Sequence, residues 1–199
     1  MGLERSTIRR NRATSARGYT FEGHAIVSAD DRIADAAGEK PPSLDHPEDW
    51  RRFQAALDRA EVVVLGRRSH ESSPDARGRK RLVLSRRVAA LERRDDGWWW
   101  NPSAIALAQA LRRVAPGGGT AAIAGGCEVF DLFLEVGFDA FYLTRNAGVR
   151  LPGGVPVLTD CRPARSAEQI LRDAGLVLTS RERLDTAGDI VQTVYRRPG

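Results

Sequence analysis

Lysine is nearly absent: Lys40 and Lys80 are the only two among 31 basic residues, so arginine carries the positive side of a net charge of +5. Cysteine is as scarce. Cys127 and Cys161 lie far apart and show no metal-ligand spacing with the three histidines, His24, His46 and His70, so neither a disulfide scaffold nor a metal site is expected. Two reduced thiols fit a cytoplasmic protein. No apolar run approaches the ~20 residues that span a bilayer, and the basic N-terminus lacks the apolar stretch of a secretory signal, so no membrane partner is expected. The arginine excess suits an anionic ligand. No stacking platform or recognition-helix pattern accompanies it, which argues against a nucleic-acid partner.

What remains is a globular composition, 42% apolar and 29% charged over 199 residues, enough for one core and too little for two. Residues 1–19 carry no apolar periodicity and read as a flexible basic arm; residues 20–199 read as a single domain. Gly23 to Ser28 is a short strand. Asp45 or Pro47 opens a helix through EDWRRFQAALDRA, with Trp50, Phe53, Leu57 and Ala60 at helical spacing. VVVL before Gly66 is a buried strand and RLVL (81–84) another. Asp95-Asp96-Gly97 is a turn, Trp98 to Trp100 a strand, and a helix capped at Asn101 or Ser103 runs to Pro116. TAAIA, Gly125-Gly126 and CEVFDLFLEVG read as strand, turn and helix, followed by the strand FDAFYLT. The last two segments, GLVLTSRERL and IVQTVYRR, alternate as an antiparallel hairpin. The sum is an α/β fold of three layers: a mostly parallel central sheet, helices on both faces and a C-terminal antiparallel hairpin.

Two turns look built for a ligand, the first of them for phosphate. Gly66-Arg67-Arg68-Ser69 follows a strand and opens a helix, bringing free N–H groups and two guanidiniums together. Gly125-Gly126 lets backbone approach a ligand closely before the helix that starts at Cys127, Glu128 and Val129. Asp49 lies in the first turn of the helix that carries Phe53 four residues on, so both can face one cleft. An acid there also suits the helix dipole.

Taken in order, Pro47-Glu48-Asp49 with Phe53, Val64 to Ser72 leading to Gly78-Arg79-Lys80 and Leu84-Ser85, and Ile123 to Gly126 resemble dihydrofolate reductase and the reductase domain of the bifunctional riboflavin-biosynthesis enzyme. Ser28 to Ala34 resembles the segment after the first strand in both. The resemblance covers about residues 22–197. It implies an NADPH-dependent oxidoreductase, with cofactor residues Gly66, Arg67, Arg68, Ser69, Ser85, Arg86, Gly125, Gly126, Cys127, Glu128 and Val129. It implies catalytic roles for Asp49 and for Thr144, which matches the family threonine bonded to the acid. Ile26, Val27 and Phe53 would wall the substrate pocket, and Arg79 matches an arginine that binds a folate tail carboxylate.

The substrate is then a small heterocycle: a pterin or folate by Asp49 and Arg79, or a ribosylaminopyrimidine phosphate. The loop Leu151 to Pro156 lacks the Gly-Asp pair of dihydrofolate reductase and looks like the Gly-rich loop of the riboflavin-pathway reductase. Two further departures are Ser43-Leu44-Asp45-His46 and His70, which stand where tryptophans are common. A non-catalytic nucleotide-binding protein that keeps the fold is the third reading. The riboflavin-type resemblance allows a homodimer.

Overall fold

A computed structural model describes residues 18–75 and 77–199. Most of the basic arm, residues 1–17, lies outside the described residues. Tyr19 does not belong to an arm: strand β1 spans Tyr19–Ser28, four residues earlier than the sequence pattern indicates. Its first half is held by parallel pairing, Tyr19 to Gly23 against Gly119 to Ile123, which no local pattern announces.

The chain continues through β2 (Arg32–Ala34), a short 3-10 turn (Pro42–Leu44), α1 (Pro47–Arg59), β3 (Val62–Gly66), α2 (Arg67–Ser72), β4 (Arg81–Leu84), β5 (Leu91–Arg94) and β6 (Gly97–Trp100). Then come α3 (Leu107–Val114), β7 (Gly119–Ile123), α4 (Cys127–Val136), β8 (Ala140–Asn146), β9 (Val155–Pro156), α5 (Ala167–Asp173), β10 (Val177–Arg183) and β11 (Ile190–Arg196). Nine strands form one sheet in the order β10-β11-β8-β1-β7-β3-β4-β6-β5. The six from β8 to β6 run parallel, and β11 joins β8 antiparallel. β2 and β9 make a separate two-stranded sheet.

Strand alternation divides the core. On one face, Leu57 of α1 packs with Val63, Leu65, Val83, Trp99 and Ala122. On the other, α3, α4 and α5 cover Phe21, Val27, Val64, Leu82, Ile123 and Phe141. The expected three layers and C-terminal hairpin are present. Among the described residues, no helix is long and apolar enough to cross a membrane.

Several elements differ from the sequence pattern. α5 was hidden because seven residues carry too little periodicity; it is held by Ala167, Ile170 and Leu171 in the core and by Ser166 accepting from the Gln169 N–H at 3.2 Å. α3 starts at Leu107, not near Ala104. Asn101 does not cap it but closes a turn on the Ser103 N–H, while Trp100 Nε1 donates to the Ile105 carbonyl at 2.9 Å. β5 pairs antiparallel with β6 across the Asp95-Asp96 turn. There Arg81 donates to His70 Nδ1, which leaves the proton on Nε2 to donate to Asp96 at 2.9 Å; the other Asp96 oxygen accepts from Trp99 Nε1. Trp99 and Trp100 are buried and Trp98 is half-buried. His24 is buried and stacked on Tyr142, yet its Nε2 has no hydrogen-bond partner among the described residues.

Candidate active site

The parallel strands β1, β7, β3 and β4 end on one edge, where loops lead into helices, the usual place for a ligand in such a sheet. Two turns meet there. The Gly66 N–H donates to the Gly125 carbonyl at 2.7 Å. A side chain at Gly125 would meet the Phe130 ring at 2.6 Å, and its φ of +84° suits only glycine. Bare backbone is therefore a requirement at this edge. Gly126 precedes α4, whose first amides, at Cys127 and Glu128, lack intrahelical partners. Val129 packs beneath the pair, 3.5 Å from where a Gly66 Cβ would lie. Arg86, after β4, donates to Glu128 at 2.9 Å and ties the neighbouring loop to this helix.

The basic residues of the first turn are not equivalent. Arg67 is spent on Glu71 at 2.6 Å. Arg68 is exposed and makes no ion pair among the described residues; its guanidinium lies against Gly38. Ser69 is half-buried in α2. The Ser85 hydroxyl accepts from the Arg87 N–H at 3.2 Å and shapes the turn. The Cys127 thiol points to Thr159 Oγ1 at 3.3 Å, and burial pushes it up to about 11. Cys127 can thus offer a ligand its backbone, not a thiolate.

Asp49 sits half-buried in the first turn of α1. Burial pushes its carboxyl above the ordinary range, while a hydrogen bond from Thr144, the Lys40 ammonium and His46 pull the other way. Thr144 is completely buried on β8. Its hydroxyl accepts from Gln192 Nε2 at 3.1 Å, so its single proton is left to point at Asp49. Gln192 lies opposite Thr144 in the β8–β11 register and accepts from Arg52 at 3.2 Å. Arg52 is fixed in turn by Glu48 and by Glu182. No local pattern marks Gln192, because its partner is 48 residues away on another strand.

Ile26 pairs with Thr144 across β1 and β8 and is half-buried. Val27 points the opposite way, into the core under α4 and α5, so it does not wall the same pocket as Ile26; neighbours on a strand face opposite sides. Phe53 lies one turn after Asp49, its ring 6.3 Å from His24. Arg79 is held by Asp58 at 2.7 Å and by Gln54 at 2.6 Å, with little exposure. The loop after β2 joins these parts. Ile33 lies 3.6 Å from a Cβ position at Gly126, Gly38 lies beside Arg68, and Lys40 acts on Asp49.

No family model matches the sequence, and no curated protein does. Solved structures do. A riboflavin biosynthesis protein from Shewanella sp. PV-4 superposes with a TM-score of 0.64 at 20% identity, over 90% of this chain and 99% of that one. The chain has a dihydrofolate reductase-like fold. A diaminohydroxyphosphoribosylaminopyrimidine deaminase/5-amino-6-(5-phosphoribosylamino)uracil reductase from Thermotoga maritima gives a TM-score of 0.62 at 13% identity over 92% of this chain. This dihydrofolate reductase-like domain spans 57% of that protein's length.

Proposed function

We propose that the protein is an NADPH-dependent reductase of a nitrogen heterocycle. The observation that carries this reading is Asp49 in the first turn of α1, its carboxyl shifted upward by burial, beside the completely buried Thr144 hydroxyl that Gln192 orients. It is joined by one loop to a bare-backbone turn fit for phosphate. The turn suits a dinucleotide: Gly125 and Gly126 leave room for close approach, the open amides of α4 face anions, and Arg68 has no ion-pair partner among the described residues to compete with a phosphate. Gly66, Arg68, Ser69 and the Gly125-Gly126 backbone would hold NADPH, with Arg86 and Glu128 closing the edge. NADPH supplies a hydride when bound.

The chain's own contribution is orientation and the proton. Hydride addition to the carbon of a C=N bond leaves the nitrogen needing a proton, and Asp49, whose carboxyl burial shifts upward, is the acid placed to relay it directly or through water. Thr144 fixes which way that carboxyl points. Ile26 and Phe53 exclude water beside it. Of the two substrate classes, a ribosylaminopyrimidine phosphate is favoured over a folate. Arg79 is already engaged by Asp58 and Gln54 and has little exposure, so it is not free to receive a tail carboxylate. One structural neighbour is named for riboflavin biosynthesis and the other for action on phosphoribosylaminopyrimidines.

The test is NADPH oxidation followed at 340 nm with the two substrate classes offered separately. Turnover of the aminopyrimidine phosphate, and little with dihydrofolate, is expected. Absence of NADPH binding by thermal shift would remove the reductase reading altogether.

A further inference from the structure

An open cleft of about 640 Å³ lies beyond β1 and β8, bounded by the Ala29–Arg32 turn, Arg145, Arg150, Gly153 and Arg162. It is not the Asp49 site. Arg145 follows Thr144 on β8 and faces the opposite side of the sheet. Four guanidiniums line this cleft, and they are not alike. Arg145 is locked in place, donating to the Ser28 carbonyl at 3.1 Å and to Asp31 at 2.6 Å. Arg32 makes no side-chain hydrogen bond or ion pair among the described residues, and its Nε is enclosed without a partner. Arg150 is exposed with no ion pair among them either. Among the described residues Arg162 pairs with Asp160 alone, at 3.5 Å.

Of the three carboxylates that line the cleft, Asp31 is fully engaged. Asp31 accepts from Arg145 with one oxygen and from the Ala167 N–H with the other, at 3.2 Å. Asp30 accepts from Ser28 Oγ at 2.7 Å and from the Leu151 N–H at 3.0 Å, both at Oδ1. Glu168 lies 3.6 Å from Arg145 and 3.7 Å from Arg172. Four guanidiniums line the cleft against three carboxylates, and among the described residues Arg32, Arg150 and Arg162 keep N–H donors that no close partner takes up, three planar groups suited to a phosphate. The second oxygen of Asp30 and the loosely held Glu168 remain as acceptors for hydroxyl groups. The volume exceeds what an inorganic phosphate fills.

We infer that this cleft binds a phosphorylated sugar-sized metabolite, its phosphate among Arg32, Arg150 and Arg162 and its hydroxyls toward Asp30 and Glu168. This site is independent of the proposed reductase chemistry.

The test is isothermal titration at about 0.15 M salt, where diffuse surface attraction is screened. The probes are glucose 6-phosphate, glucose and inorganic phosphate. Glucose 6-phosphate binds tightest, inorganic phosphate more weakly and glucose not measurably. The double variant Arg150→Gln/Arg162→Gln, at two exposed positions, weakens glucose 6-phosphate about tenfold or more, as loss of charge-assisted bonds requires. Arg68→Gln, at the Gly66 turn, leaves it within about twofold, since that turn is a separate site. The inference is overturned by no heat up to about 10 mM ligand, by unchanged affinity in the double variant, or by a loss that appears in Arg68→Gln instead.

Discussion

The Gly66 N–H and the Gly125 carbonyl share a 2.7 Å hydrogen bond, so two turns 59 residues apart in sequence form one surface at the edge of the sheet. A methyl group at Gly125 would strike the Phe130 ring and force an L-residue into a φ of +84°. Gly125→Ala is therefore expected to cost about 2–4 kcal/mol from overpacking and backbone strain together. Denaturant unfolding measures this, and a loss within about 0.5 kcal/mol, the range of ordinary surface changes, would contradict it.

Arg68 and Arg67 are adjacent but differ in what they can give a ligand. Arg68→Gln should weaken NADPH about tenfold or more and leave NADH nearly unchanged, because only the former carries the extra phosphate. Arg67→Gln should do less, since Glu71 already holds that guanidinium. Fluorescence titration with both nucleotides separates the outcomes; equal losses for NADPH and NADH would refute the assignment.

Asp49→Asn is expected to lower kcat/KM by about a hundredfold or more while NADPH affinity stays near wild type. Stability moves the other way. Burial raises the folded-state value of this carboxyl, so its favourable contribution is complete at acid pH and is lost as the pH rises and the group ionises. The Asn variant should therefore gain in Tm relative to wild type at pH 7 and lose that gain on acidification.

Thr144→Val keeps the shape of the side chain but removes the hydroxyl that lowers the Asp49 value. The alkaline limb of the pH–rate profile should move upward, with kcat reduced about tenfold, a loss in keeping with one hydrogen bond to a charged group. An unmoved limb would separate Thr144 from the proton.

His24 titrates in the opposite sense to Asp49. Burial, helped by the Arg59 charge, lowers it from 6.5 to about 4, so the stability it confers is complete above 6.5 and falls as the pH drops from there toward 4. The full loss is at most ~3 kcal/mol. His24→Phe retains the stack on Tyr142 and removes the unpartnered Nε2. Urea unfolding from pH 7 to 4.5 should be flatter in this variant than in wild type.

Much of this was legible in the chain itself. The β-branched run before Gly66, the small-residue strand before Gly125-Gly126, the spacing of Trp50, Phe53, Leu57 and Ala60, and the alternation of the last two segments are local patterns. Local patterns fix secondary structure and, with strand–helix alternation, the parallel sheet. They also pointed to Asp49 and to the two glycine turns, since turn chemistry is written in neighbouring residues.

What only the tertiary structure decided depends on distance and register. β11 sets Gln192 opposite Thr144, and that pairing aims the Asp49 hydrogen bond. Asp58 claims Arg79 across 21 residues, which turns an apparent ligand arginine into a paired one. Val27 lies on the face opposite Ile26 because a single residue's step along a strand reverses its side, and the register of β1 in the sheet decides which side meets the core. The arginine cleft behind β8 gathers Arg32, Arg145, Arg150 and Arg162 from two strand ends and two loops. No window of sequence contains them, and only folding shows which of their charges are already spent.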